Sequence, residues 1–478
     1  MKELYEYQKT LTKEKKKKLG IVYTPVNIVS FINEKCLERW HSSTPPRVID
    51  FSSGTGVFLF DMASKISEKY QISLQEIYEK YIFANDIDNN ATDIFTKFTG
   101  CKNVSNTDGL SVDISNYDII VGNPPYVKIQ YLDKNLQKSI RKHKWCEKGN
   151  TDLYIAMVER FFKSSKIFGL ICPNSWIKSN TGAQMVSDFL EQKSVYHLIN
   201  FRGKKVFLEG AYCSILLGDN EKSNSFVFSI DMGAKEEIKE YDKASSKDFF
   251  LYKKEINFIN KINSKKHRLS EFCELKVGLA TLSDSVYYLP DCRIINDKVI
   301  SKGHSFEISA TKRCYKAGRL SRYNKTVEDR IIYPYDGNKQ ILSDKKFKTK
   351  HPLAYNYLLK NKQALLNRDK KGCEKKVAAG TMEWFEYGRG QGMRLKDKKI
   401  LISAIVTKKF FLEIDSGLFI SGYCLQMKNN KDIGVVLRAI QSQDFLDWIS
   451  LNGSPKSGGY FSINKKCVES FRFNKKIV

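Results

Sequence analysis

Residues 47–66 read RVIDFSSGTGVFLFDMASKI. Val48 and Ile49 are apolar and lead to Asp50, the next six residues include two glycines, and from Val57 apolar residues recur at helical spacing. That order predicts a buried strand, a tight turn and a helix. Gly54 and Gly56 permit a turn that side chains would block, and they let backbone approach a ligand closely. The arrangement then repeats. YIFANDIDNNATDIF (81–95) is a strand and helix with acids at the strand's carboxyl end. NYDIIVGNPPYVKIQ (116–130) runs an apolar strand into a stiff corner. TDLYIAMVERFF (151–162), KIFGLICPNSW (166–176) and GAQMVSDFLEQ (182–192) continue as helix, strand and helix. Strands separated by helices predict an α/β, Rossmann-like domain whose mostly parallel sheet is covered on both faces. The ligand of such a sheet sits beyond the carboxyl ends of its strands, where the turns above converge.

Upstream, LGIVYTPVNIVSFINEKCLERW (19–40) reads as a turn and a helix, with Thr24 as cap and Pro25 in the first position. With 478 residues the chain exceeds the roughly 250–300 at which a single core stops growing, so two domains are expected. The polar stretch GDNEKSNS (218–225) places their boundary near 220, giving domains 1–220 and 221–478. No apolar run spans a bilayer and no signal-peptide pattern opens the chain, so no membrane partner and a cytoplasmic location are expected. The eleven cysteines contain no C-x-x-C pair and only six histidines accompany them. This argues for a reducing compartment and against a metal site.

Charge is unevenly spread. Residues 1–220 carry 30 basic and 24 acidic side chains, residues 221–478 carry 50 and 29, and the net charge of the chain is +27. The second half is therefore the one expected to meet a polyanion.

The glycine turn fits neither of two familiar phosphate-binding patterns. Leu59 stands where a dinucleotide fingerprint needs its third glycine, and no G-K-[ST] follows. What remains is a turn with acids at successive strand ends. Asp50 closes the first strand. Asp86 is placed to accept the hydroxyls of a ribose, Ile87 to pack on an adenine face, and Asp108 to accept from an exocyclic adenine amine. Each acid alone is more often a cap or a surface residue. Together they suit a nucleoside without phosphate that carries positive charge, and S-adenosylmethionine meets that description.

In Asn123-Pro124-Pro125-Tyr126 the prolines lack N–H groups and have a fixed φ, so they hold nearby carbonyls in place. The Asn123 amide oxygen and the Pro124 carbonyl are positioned to accept the two hydrogens of an aromatic amine, and Tyr126 offers a ring for stacking. Two such acceptors would favour a tetrahedral nitrogen and stabilise the positive charge that grows on it during attack on a methyl group. The bland alternative is a turn with a structural tyrosine.

These residues resemble the amino-methyltransferases that act on adenine N6 in DNA, in the gamma motif order. YTP (23–25) is similar to the family's opening motif, which implies that Tyr23 and Thr24 help hold the methionine end of the cofactor. DFSSGTGVFL (50–59) resembles the family's glycine loop, with Phe51 in place of the usual proline, so that Asp50, Gly54 and Gly56 are cofactor-binding by resemblance. NDID (85–88) resembles the ribose-binding strand end, and NPPY is the catalytic signature itself, implying catalytic roles for Asn123, Pro124 and Tyr126. KVFLEGAYCSILL (205–217) is similar to the segment whose phenylalanine, here Phe207, packs on the target base opposite Tyr126. The resemblance covers residues 19–217 and implies S-adenosylmethionine, double-stranded DNA and a restriction-modification or phage-defence setting in a prokaryote. It also implies a separately encoded endonuclease, because only eighteen residues precede Leu19. A monomer is the expected state, with a dimer as the alternative.

An adenine amine inside a duplex is inaccessible, so the base must be rotated out and a second platform must grip the duplex. Within 221–478, Arg389 and Gln391 in YGRGQG (387–392) are the candidate base readers, since Arg and Gln make bidentate contacts to guanine and adenine edges. Tyr333, Tyr335, Trp384 and Tyr387 are either interface aromatics or core. Two rivals stay open at this level. One is a methyltransferase acting on RNA adenine or protein glutamine, and the other is a non-catalytic DNA-binding specificity protein.

Overall fold

The computed structural model describes residues 4–475, apart from 5, 8–9, 150, 165–166, 208–211, 220, 244–248, 324–327, 370–371, 390, 396–397, 407–410 and 457–459. The chain divides into two compact units, Met1–Ile256 and Asn257–Val478.

The first unit is built on nine strands: β1 (Val48–Asp50), β2 (Ile82–Asn85), β3 (Val104–Ser105), β4 (Ile119–Gly122), β5 (Ile167–Pro173), β6 (Val195–Asn200), β7 (Cys213–Asp219), β8 (Ser225–Ser229) and β9 (Glu237–Glu240). Their order across the sheet is 3-2-1-4-5-7-6-8-9. From β3 to β5 all pairs are parallel, with Val48 opposite both Ile82 and Ile119. β7 lies antiparallel between β5 and β6. Twelve residues, 201–212, join β6 to β7. This is the expected Rossmann-like, mostly parallel α/β domain.

Side chains alternate between two apolar layers, as the two-residue period of a strand requires. Ile119, Val121, Ile167 and Ile171 pack with Ile28, Val29 and Ile32 of the helix Val26–Glu38. Ile120, Phe168, Leu170 and Cys172 pack on the other face with Tyr154, Val158 and Phe161 of the helix Leu153–Ser164. All eleven cysteines are free and ten are buried, as small core side chains.

Two local readings change. The division expected at 220/221 lies within the sheet, because β8 and β9 follow it; β8 pairs with β6 and β9 with β8. Phe226 and Phe228 are buried there, although the polar GDNEKSNS stretch precedes them. Thr24 does not cap the next helix: Pro25 occupies the cap position without a side-chain hydrogen bond. The Thr24 hydroxyl instead accepts from the Asn123 amide, 3.1 Å away.

The second unit is mixed α+β. One four-stranded antiparallel sheet (Cys273–Val277, Gly422–Met427, Lys399–Ser403, Phe411–Ile414) packs against the helices Ile433–Gln441, Gln443–Asn452 and Lys465–Glu469. A second sheet (Tyr288–Leu289, Arg330–Ile332, Thr311–Lys316, Leu418–Ile420) packs against the helices from Asp344 to Ala378. Tyr333, Tyr335, Trp384 and Tyr387 are buried in that second core, which settles their choice between interface and core. This unit has 43 basic and 21 acidic side chains.

Candidate active site

Strand order reverses between β1 and β4, where a cavity of about 530 Å³ opens at the strands' carboxyl ends. β1 ends at Asp50, and the chain turns through Gly54 (φ +54°) and Gly56 (φ +76°) into the helix Val57–Tyr70. The two glycines differ in purpose. A Cβ on Gly54 would meet nothing within 4 Å and Gly54 lines the cavity, whereas a Cβ on Gly56 would sit 2.1 Å from the Phe95 ring. Gly56 therefore shapes the turn from behind and does not face the cavity.

Asp86, at the end of β2, accepts from the Gly54 N–H at 2.7 Å and, through its other oxygen, from the Asp88 N–H at 2.8 Å. The carboxylate thus locks the glycine turn to the second strand end and keeps further lone pairs on each oxygen. Ile87 beside it is 65% exposed, an apolar face open to the cavity. Asp108 also lines the cavity, with one oxygen accepting from the Leu110 N–H at 3.0 Å.

Asn85, fully buried, joins these strand ends. Its amide nitrogen donates to Phe51 O (3.1 Å) and Thr107 O (3.0 Å), and its oxygen accepts from the Ser105 hydroxyl and the Thr107 N–H. This residue was missed in the sequence; its only signal is a polar side chain inside an apolar strand.

Asp50 is buried and accepts from the Ser52 N–H at 2.9 Å. Gly122 has no side chain to hold it off, since a Cβ there would lie 2.7 Å from the carboxylate. Burial raises its pKa to about 8; the Ser52 N–H offsets part of this, and the charge of Asp86 adds to it. A cation bound nearby would restore the ionised form. Binding of a cationic cofactor at pH 7 is therefore expected to release a proton, and its affinity to tighten as pH rises from about 6 to 8. In the ligand-free protein the sign is opposite. The folded state holds this proton more tightly than the unfolded state, so Asp50 costs stability progressively as pH climbs from about 4 to 8. Calorimetry in buffers of different ionisation enthalpy measures the proton, and Asp50→Asn should abolish its release.

The opening motif is stitched to the proline corner. Gly20 (φ +66°) ends the helix Lys13–Leu19, and its carbonyl accepts from the Tyr126 N–H at 3.2 Å. A Cβ at Gly20 would lie 2.6 Å from that nitrogen, so the approach needs glycine. The Asn123 amide nitrogen donates to Val22 O at 2.8 Å and to Thr24 Oγ1. A carbonyl can only accept, which fixes the amide's orientation. Asn123 Oδ1 is then buried with no hydrogen-bond partner among the described residues. A buried acceptor left open costs about 1–3 kcal/mol, so such an atom in a cavity wall marks a place where a donor binds.

Pro124 is buried, and Pro125 lines the cavity with Asn123, Tyr23 and Thr24. The Tyr126 ring lies edge-on to Phe207 (6.4 Å between centroids, 65°) and to Tyr154 (6.3 Å, 69°). Its hydroxyl stays protonated, because burial raises its pKa far above the ordinary tyrosine value. Tyr126 and Phe207 are thus neighbours, although neither is in the cavity lining.

Two further elements were not legible. The helix Lys134–Ile140 and the residues before it contribute Leu132, Asp133, Leu136 and Ser139 to the cavity. Near the start of the chain, Tyr7 donates to Asp88 at 2.9 Å and Lys15 pairs with Asp88 at 3.0 Å. Leu4 is fully buried, and its carbonyl accepts from Thr55 in the glycine turn.

In the second unit, the Arg389 N–H donates to Ala280 O at 3.0 Å and its side chain is exposed. The Gln391 side chain lies outside the described residues. Behind this loop the buried Arg368 donates to Thr281 O, Glu386 O and the Tyr287 hydroxyl.

The proline corner, the glycine turn and three strand-end acids around one cavity invite comparison with known proteins. Residues 30–207 match the Eco57I restriction-modification methylase family. This segment of the first unit runs from the helix Val26–Glu38 to Phe207. RM.Eco57I of Escherichia coli, a Type II restriction enzyme and methyltransferase, is 27% identical over 71% of this chain; the chain matches only 38% of that protein's length. The Type II methyltransferase M.BanIII of Aneurinibacillus aneurinilyticus is 22% identical over 90% of this chain and 85% of its own. The solved structure of the Type IIL restriction-modification enzyme MmeI in complex with DNA aligns with 98% of this chain and 70% of its own, with TM-score 0.65 and 12% identity. That similarity shows a shared fold.

The cavity fits S-adenosylmethionine. Asp50, Asp86, Ile87 and Asp108 all line it, which sets carboxylates and one exposed apolar side chain where a positively charged nucleoside would be received. No helix among the described residues is long and apolar enough to cross a membrane.

Proposed function

We propose that this protein transfers a methyl group from S-adenosylmethionine to the N6 amine of an adenine rotated out of duplex DNA, as the modification activity of a restriction-modification or phage-defence system. The observation that carries the reading is the buried, open Asn123 Oδ1 in a corner of the cofactor cavity. S-adenosylmethionine supplies an electrophilic methyl group on a sulfonium. Asn123 Oδ1 and the Pro124 carbonyl accept the two amine hydrogens, which leaves the nitrogen lone pair free to attack in line. Tyr126 and Phe207 touch edge-on in the ligand-free protein, so in this reading the two rings part to take the extruded base and offset part of its unstacking. The excess of basic side chains in the second unit, and the DNA bound by MmeI, favour duplex DNA over a protein amide.

Incubation with labelled S-adenosylmethionine and duplex DNA, followed by nucleoside analysis, should yield N6-methyladenine. Label on cytosine, on RNA alone or on a protein glutamine would replace this reading. Arg389→Ala is expected to cost about 1–3 kcal/mol at one base pair of the target site, seen as relaxed sequence preference. An equal loss on every sequence would assign Arg389 to phosphate contact instead.

A further inference from the structure

The second unit has a cavity of about 480 Å³ whose wall includes Lys302, Lys316 and Arg319. We propose that this cavity holds a phosphodiester group of the DNA backbone, with Lys302 and Lys316 as its ligands and Arg319 at its rim. The proposal rests on the DNA-methyltransferase reading and adds a site to it.

The acids nearby are already engaged. Asp284 accepts the Thr281 hydroxyl at 2.6 Å and the Ser421 hydroxyl at 2.7 Å. Asp329 is buried and takes the Tyr288 and Tyr323 hydroxyls and the Asp291 N–H. Asp291 and Asp329 both pair with Arg319, fixing the guanidinium at the cavity edge. Lys302 and Lys316 have no carboxylate within ion-pair distance among the described residues. The Lys302 ammonium donates to Ser285 O at 2.6 Å, which leaves it two further hydrogens. Lys316 lies 5.1 Å above the Tyr288 ring. Lys302 is lowered from its ordinary pKa by burial and then by the neighbouring Lys316 charge. Among the described residues the wall carries three cations and one carboxylate, Asp284, so it keeps a net positive charge, and an anion between the two lysines lowers their mutual repulsion.

Backbone geometry points the same way. Lys302 (φ +51°) and Gly303 (φ +73°) join the strands Lys298–Ser301 and His304–Glu307 through a two-residue turn. Both central residues of such a turn need positive φ, a place where Asn, Asp or Gly is favoured and lysine is strained. A lysine held there in spite of strain presents its charge at the cavity.

The segment 280–288 supplies the link to DNA. Ala280 pairs with Arg389, the exposed candidate base reader, and Asp284, Ser285 and Tyr288 a few residues later line the cavity. A phosphate held here would fix the register of the loop that carries Arg389.

The test compares the parent with Lys302→Gln, Lys316→Gln and the double variant, measuring duplex affinity from about 50 to 300 mM salt. The double variant should bind roughly tenfold or more weakly on cognate and unrelated duplexes alike, with a salt slope shallower by about one, as the loss of one phosphate contact requires. Affinity for S-adenosylmethionine and the melting temperature should stay unchanged. Parallel salt slopes for parent and double variant would overturn the site while leaving the methyltransferase reading intact. Failure of the parent itself to bind duplex would overturn both. Inorganic phosphate that binds the parent at millimolar concentration, with duplex affinity equal in parent and variant, would make this a free-phosphate site and overturn the DNA assignment.

Discussion

Asn123→Ala is expected to lower kcat for adenine methylation by about 10²–10³-fold, the size of effect seen when one preorganised hydrogen-bonding group is removed from a reacting centre. Only the acceptor half of this amide is free to act; the donor half is tied to Val22 and Thr24. An interaction made chiefly in the transition state depresses kcat and kcat/KM together. Binding of S-adenosylmethionine should remain close to that of the parent, because the proposed pose sets the cofactor's ribose and adenine against Asp86, Ile87 and Asp108 instead. Stability should change little. Two hydrogen bonds worth about 1 kcal/mol each disappear, and the cost of an open buried oxygen disappears with them. Asn123→Asp retains an acceptor but sets a carboxylate against Val22 O, so it should keep more transfer than alanine and melt at a lower temperature. Single-turnover methylation, equilibrium cofactor binding and thermal melting separate these effects. Equal transfer rates for Asn123→Ala and the parent would remove the acceptor from the mechanism.

The parts of this site that were legible lie close together in the sequence or carry a restricted residue type. The glycine turn follows from two left-handed positions within three residues, and the strand-end acids follow from apolar runs that stop at Asp50 and just before Asp86. NPPY is recognisable because the two prolines remove nearly all local freedom. The sheet was readable for a similar reason: Ile119–Gly122 and Ile167–Pro173 are almost continuously buried, as parallel strands covered on both faces must be.

What escaped depends on distant pairing. Lys15 lies within a run of lysines and looks like solvated charge, yet it meets Asp88, 73 residues away. Asn85 shows locally only as a polar side chain in an apolar strand, and its role as a tie comes from partners at Phe51, Ser105 and Thr107. The strands Ser225–Ser229 and Glu237–Glu240 are short and half polar, and they gain their identity only by pairing beside β6. In the second unit, Tyr333 and Tyr387 looked equally suited to an interface, because aromatic content does not say which side of a sheet is covered. The YTP stretch shows local logic overruled by tertiary context. Thr24 has the side chain of a helix cap, and the nearby Asn123 amide takes its hydroxyl first.

Asp86→Ala is expected to weaken S-adenosylmethionine binding by about 2–3 kcal/mol, roughly 30- to 150-fold, with kcat at saturating cofactor much less affected. Two losses combine in this figure. One is the charge-assisted hydrogen bonding to the ribose hydroxyls. The other is the anchor for Gly54, whose N–H is held at 2.7 Å and whose left-handed backbone forms part of the cavity wall. Asp86→Asn separates them. Its oxygen can still accept from one backbone N–H, but its NH₂ faces the other, so the turn is strained while the side-chain volume is kept. If the ribose contact dominates, the asparagine variant should recover a tenth or more of the parent affinity, since an amide oxygen still accepts a hydroxyl. If anchoring of the turn dominates, both variants should bind equally poorly and both should melt earlier than the parent in the absence of cofactor. Isothermal titration of all three proteins together with ligand-free melting curves distinguishes the cases, and unchanged affinity in Asp86→Ala would take the carboxylate away from the cofactor altogether. The comparison bears on the whole cavity, because Asp86, together with Asn85, holds the glycine turn and the second strand end as one surface.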